Sequence, residues 1–216
     1  MGRGGALTGV IFDCDGTLVD SEPLSGETWR RVTQPFGYEI TDEDLAEVVG
    51  FPYVRTHAFF ASRVALPAPE ALLPELNRVL FALIDERLEV FADAVTAVEE
   101  LRAQGVRIAV ASSSVRERLD RTLAHAGLSF EVTIAGDEVE HGKPAPDMFL
   151  LAAARLGVRP GSCVVIEDSP PGVQAGHAAG MFTLAVCRVP GTEASLAAAD
   201  RVVDTVSADA ILEHIA

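Results

Sequence analysis

The sequence predicts an α/β protein: a doubly wound parallel sheet of the Rossmann-like kind, carrying an all-helical domain inserted after its first strand. Three observations carry that prediction. Four segments of the second half have helical character, end in glycine and run directly into a short apolar segment. The apolar run LTGVIF, near the start, stops abruptly at Asp13 and Asp15. Between about Ser21 and Leu88 the periodicity is helical and no strand-like run occurs.

Taken in order, LTGVIF is the first strand, and VIFDCDGTLVDSE places two aspartates one residue apart at its end with Gly16 and Thr17 behind them. The insertion then reads as helices in PLSGETWRRVTQPFG, TDEDLAEVVG and PEALLPELNRVLFALIDERLEVF, with Thr41 or Asp42 as an N-cap. Trp29, Phe36, Phe59, Phe60 and Phe81 are expected in its core. The alternation follows as VEELRAQG to VRIAVASS, LDRTLAHAG to LSFEVTIAG, FLLAAARLG to VRPGSCVVIED, and VQAGHAAG to MFTLAVC. Gly105, Gly127, Gly157 and Gly180 suit the left-handed position beyond a helix C-terminus. RVVD, from Arg201 to Asp204, is a late strand. The expected organisation is a core of residues 1–20 and 89–216, and a helical domain of residues 21–88.

Composition narrows the partners. With 216 residues, 49% hydrophobic and 23% charged, the chain is an ordinary globular protein. Its net charge of −15 argues against nucleic acid, and an anionic substrate would need a bound cation or a few placed basic residues to receive it. The odd set of Cys14, Cys163 and Cys187 lacks a C-x-x-C spacing and lies in apolar surroundings, which suits free thiols in a reducing cytoplasm. MGRGGALTG lacks the apolar core of a signal peptide, and no run approaches membrane-spanning length, so a cytoplasmic protein without membrane contact is expected. The oligomeric state is open, with a monomer preferred. His57, His125, His141, His177 and His214 show no ligand spacing.

In a doubly wound sheet ligands bind at the carboxyl ends of the strands. Asp13 and Asp15 would meet there with Ser112, Ser113 and Ser114 after IAVA, with Asp137 and Glu138 after VTIAG, and with Glu167 and Asp168 after CVVI. Carboxylates gathered so closely repel one another unless a cation compensates them, and an all-oxygen set favours Mg²⁺. Mg²⁺ commonly shares its shell with phosphate oxygens, which directs attention to phosphoryl chemistry. Lys143, in GKPAPD, supplies a nearby cation on a loop stiffened by Pro144 and Pro146.

DCDGTLVDSE, VASSS, HGKPAPDMF and VVIEDSPPGVQAGHAAGM resemble, in order and spacing, the four motifs of the haloacid dehalogenase superfamily, in its branch of phosphatases similar to beta-phosphoglucomutase. The resemblance implies a Mg²⁺-dependent phosphatase in which Asp13 is the nucleophile that forms an aspartyl phosphate. Asp15 would then be the acid/base residue. It further implies that Asp13, the Asp15 carbonyl, Glu167 and Asp168 hold the metal, that Ser112, Ser113 and Lys143 bind the phosphoryl group, and that the helical insertion is a mobile cap. Ser114, Arg116 and Arg55 are candidates for contact with the rest of a small phosphorylated metabolite, expected to be a sugar phosphate.

The sequence departs from the mutase members of that branch. Where they carry a histidine in the cap this chain has Ser25, and where they carry an arginine it has Tyr53, three residues after Gly50. A sugar phosphomutase is therefore the alternative, and a phospho-acceptor signalling module a more distant one, disfavoured by Asp15 and by the helical insertion. Cys14 alternates with the two aspartates and is expected to pack inward.

Overall fold

The computed structural model describes residues 9–48 and 51–214. Leu7 and Thr8 of the predicted first strand, the N-terminal segment before them, and Gly50 lie outside the described residues. Among the described residues six strands form one parallel sheet: β1 (Gly9–Phe12), β4 (Arg107–Ala111), β5 (Val132–Ile134), β6 (Cys163–Glu167), β7 (Phe182–Val186) and β8 (Arg201–Val203), in the order β5-β4-β1-β6-β7-β8. Two further strands, β2 (Val19–Asp20) and β3 (Glu89–Val90), pair antiparallel. Two-residue strands are too short to alternate and so leave no periodic signal in the sequence.

β1 is the centre of this order. It pairs with β4 on one side and β6 on the other, with Phe12 beside both Val110 and Ile166. Connections run from β1 towards β4 and β5 and from β6 towards β7 and β8, which makes the mouth between β1 and β6 the switch point for ligands. Ile11, Ala109, Ala111, Ile134 and Val165 face a core shared with α7 (Asp147–Leu156), through Met148, Phe149, Ala152 and Leu156. Val10, Phe12, Val110 and Ile166 alternate with them and are also buried, so both faces of the sheet are covered.

Between these strands run α5 (Ala92–Ala103), α6 (Arg116–Ala126), α7 and α8 (Pro170–Ala178), with α9 (Ala208–Leu212) at the end. The glycines predicted to stop helices, Gly105, Gly127, Gly157 and Gly180, all have φ between +65° and +75°.

The chain divides into two compact units, residues Met1–Asp20 with Glu89–Ala216, and residues Ser21–Leu88. The second unit contains α1 (Glu22–Thr33), α2 (Asp42–Val48), α3 (Tyr53–Ala61) and α4 (Pro69–Arg87). Thr41 caps α2 by a reciprocal pair of bonds: its Oγ1 accepts from the Asp44 amide at 3.2 Å, and its own amide donates to the Asp44 carboxylate at 3.1 Å. Trp29 and Phe60 are buried and in ring contact at 5.1 Å, as expected of a core. Phe36 is 39% exposed and departs from that expectation, because it lies in the 3₁₀ turn that follows α1 rather than on a helix face. Among the described residues no helix is long and apolar enough to cross a membrane.

Candidate active site

β1 fixes Asp13 by prolonging its own ladder: the Asp13 amide donates to the Ile166 carbonyl at 2.8 Å. Asp13 is buried, its side chain 8% exposed. It accepts from Lys143 Nζ, which also donates to Glu167 Oε1 at 2.6 Å. The Glu167 side chain is fully buried. Its second oxygen, Oε2, accepts from the Asp168 amide, the Ser169 amide and Ser169 Oγ, each at 2.9 Å. These bonds curl the chain around the carboxylate as it leaves β6. Ser169 then caps α8, its Oγ accepting from the Gly172 amide at 3.2 Å.

Carboxylate oxygens of Asp13, Glu167 and Asp168 lie within 4.8 Å of one another. Lys143 is charged against this group: burial would lower its pKa, but Asp13 and Glu167 outweigh burial and hold it above its ordinary value. Burial, opposed by Lys143 and reinforced by Glu167 and Asp168, pushes Asp13 well above the usual carboxylate range. Burial followed by the Glu167 charge pushes Asp168 up to about 7. The set is thus all oxygen and short of positive charge, which is the donor chemistry that a hard divalent cation satisfies.

Asp15 opens a sharp turn. Its Oδ2 accepts from Ser112 Oγ at 3.2 Å and Ser114 Oγ at 2.9 Å, and its Oδ1 from Arg118 Nη2 at 2.9 Å. The turn depends on Gly16, whose φ is +83° and whose missing Cβ would overlap the Asp168 carboxylate. The Gly16 amide donates to Val19 at 2.8 Å, and Arg188 Nη2 donates to the Thr17 carbonyl at 2.8 Å, so the loop is held at both its tip and its flank. Cys14 is buried between the two aspartates in sequence, and burial, with Asp15 and Asp13 next, raises its thiol well above the ordinary range.

Three strand ends converge here rather than the expected four. After β5, Asp137 accepts from the Arg116 amide at 3.0 Å, and Glu138 is paired with Arg116 and, at 2.8 Å, with Arg155. Arg116 also contacts Asp120 and Thr133 at 2.9 Å. The expected meeting of Asp137 and Glu138 with the other acids is therefore corrected: both belong to a network joining α6, β5 and α7, and Arg116 is engaged in it.

Ser113 is exposed, and the bonds from its segment to Asp15 come from Ser112 and Ser114. Arg55, on α3, lays its guanidinium over the Phe51 ring at 3.7 Å. Arg118 was missed by the sequence reading, although RER places it two residues after Arg116 and so roughly 200° around the same helix.

A doubly wound sheet with an acidic, lysine-bearing centre at its switch point defines an α/β enzyme of the phosphate-handling architecture. The haloacid dehalogenase-like hydrolase family model matches residues 7–180, and the chain belongs to that family. The fructose-1-phosphate phosphatase YqaB of Escherichia coli is 37% identical over 178 residues, 80% of this chain and 93% of that protein. The bifunctional riboflavin kinase/FMN phosphatase of Arabidopsis thaliana is 32% identical over 203 residues, 91% of this chain and 53% of that protein, so the chain spans about half of that relative. The crystal structure of beta-phosphoglucomutase from Clostridium difficile shares the fold, with a TM-score of 0.80, 23% identity and 97% of each chain covered.

Proposed function

We propose that this chain is a Mg²⁺-dependent phosphoric monoester hydrolase that acts on a small phosphorylated metabolite, a sugar phosphate in the first instance, through an aspartyl phosphate. The observation that carries the proposal is the site's division of labour. One buried carboxylate, Asp13, is joined to Lys143 and lies beside Asp168, while a second, Asp15, is held separately by Ser112, Ser114 and Arg118. The fructose-1-phosphate phosphatase named above supports the sugar-phosphate reading.

Asp13 attacks phosphorus while Lys143 and Ser112 neutralise and orient the phosphoryl oxygens, with Ser113 beside them. Asp15 gives a proton to the departing ester oxygen and later takes one from water. Asp13, Asp168, the Asp15 carbonyl and Glu167 are the metal-holding set, with Glu167 acting mainly through the fold of the segment after β6. Mg²⁺ at that set supplies charge neutralisation for the attacking carboxylate and the phosphoryl group.

The helical unit of residues 21–88 serves in this reading as a cap that selects the substrate, with Arg55 a candidate contact. A cytoplasmic location belongs to the same proposal, supported by the buried free thiols of Cys14, Cys163 and Cys187.

The test is phosphate release from a panel of sugar phosphates with and without Mg²⁺, comparing the wild type with Asp13→Asn. Release that requires both Mg²⁺ and Asp13 supports the hydrolase. Isomerised sugar phosphate without release would replace it with the mutase, a reading that Ser25 and Tyr53 already weaken.

A further inference from the structure

We infer that Arg118 is a positioning residue for the second half of the reaction, holding the ionised Asp15 carboxylate where it receives a proton from the attacking water. The inference rests on the phosphatase proposal above.

It begins with a local conflict. α6 starts at Arg116 and carries a second arginine at Arg118, within the turn whose amides lack intrahelical partners and whose dipole disfavours cations, and Val115 offers no side-chain cap. Each arginine is compensated by acids, but by different ones. Arg116 turns to Asp120 and Glu138, and Arg118, on the other side of the helix, reaches Asp15. Asp15 and Arg118 are 103 residues apart in sequence. The side chains of this pair are 29% and 23% exposed, enough shelter for the bond to matter more than a surface pair.

The distribution of donors identifies the step. Both oxygens of Asp15 are engaged as acceptors, Oδ2 by two serine hydroxyls and Oδ1 by a guanidinium. That arrangement suits a carboxylate, not a carboxylic acid about to donate. The reaction passes through such a state once the alcohol has left with the proton from Asp15. Water then attacks phosphorus, its proton goes to Asp15, and the bond between phosphorus and the Asp13 oxygen breaks, giving inorganic phosphate and the Asp13 carboxylate. If Ser112 turns to the phosphoryl group, as its proposed role requires, Ser114 and Arg118 are left to hold Asp15. A guanidinium N–H on one oxygen and a hydroxyl on the other fix the carboxylate's rotation, which is what a general base acting on a single water needs.

The experiment measures kcat, kcat/KM and the acid-quenched phosphoenzyme for wild type, Arg118→Ala and Arg118→Lys with p-nitrophenyl phosphate and fructose 1-phosphate. Arg118→Ala is expected to lower kcat about 10- to 100-fold for both esters, less than the roughly 10²- to 10⁴-fold that a general base supplies, because Asp15 is loosened and not removed. KM should fall with it, so that kcat/KM for the aryl ester, which reports phosphorylation of Asp13, changes by less than about threefold. The phosphoenzyme fraction rises above that of the wild type, and lysine restores part of kcat.

Equal losses in kcat and kcat/KM with no added phosphoenzyme, or no loss at all, would overturn the inference while leaving the phosphatase proposal intact. A wild type that releases phosphate from neither ester would overturn both. Matching thermal midpoints for the three proteins separate these results from misfolding.

Discussion

At the scale of single residues, Glu167 shows how a functional-looking carboxylate can also be an internal fastener. Its Oε2 takes three donors from the two residues that follow it, and Oε1 takes Lys143. A Cβ on Gly172, in the first turn of α8, would overlap this carboxylate. Gly172→Ala is therefore expected to destabilise the protein by about 2–3 kcal/mol through overpacking, read as a lower urea midpoint at unchanged slope. Gly16→Ala meets a positive φ and the Asp168 carboxylate together, so it should weaken Mg²⁺ binding, measured by titration calorimetry. The sequence showed Glu167 and Asp168 as acids at a strand end. It did not show that one of them folds the chain about itself, because the direction of a side chain's bonds depends on a turn that no local pattern specifies.

At the scale of elements, α6 repays attention because its two first-turn arginines divide between structure and site. Arg116 and Arg155 hold Glu138, which also accepts from the Ala135 amide at 3.0 Å. Burial would raise the Glu138 pKa, but the Ala135 amide, Arg116 and Arg155 outweigh it and bring it down to about 2. A depressed carboxylate stabilises the fold above its unfolded pKa, and that contribution is lost as pH falls through roughly 4.5 towards 2. Glu138→Gln should thus cost about 1 kcal/mol at pH 7 and flatten the loss of stability between those values, measured by urea titration across pH.

The helices and long strands were legible because glycine stops and apolar runs recur at regular intervals. β2 and β3 were not, being too short to alternate. Arg118 was hidden for a different reason: its partner, Asp15, lies after β1 and 103 residues away in sequence, and only the helix's rotation tells it apart from Arg116.

At the scale of the whole molecule, the acidic centre couples stability to pH and, on the proposed function, to Mg²⁺. Asp168 has its pKa raised from 3.8 to about 7, so without metal the folded chain keeps a proton that the unfolded chain has lost. Its contribution to stability accordingly declines as pH rises from roughly 4 to 7. On the proposed Mg²⁺-dependent function the metal opposes this, and at a hundred times its dissociation constant should add about 2.7 kcal/mol, seen as a higher thermal midpoint that Asp168→Asn removes.

The small antiparallel pair has a consequence for how such a chain can be remodelled. Val19 lies beside Val90 and Asp20 beside Glu89, so the chain leaves the sheet-bearing unit and re-enters it through neighbouring strands of one hairpin-like stem. Both strands of the stem belong to that unit. Residues 21–88 are therefore expected to be replaceable without unfolding the sheet-bearing unit. Replacing them with a two-residue Asn-Gly turn should leave a folded domain that still binds Mg²⁺ and has lost its preference among phosphate esters.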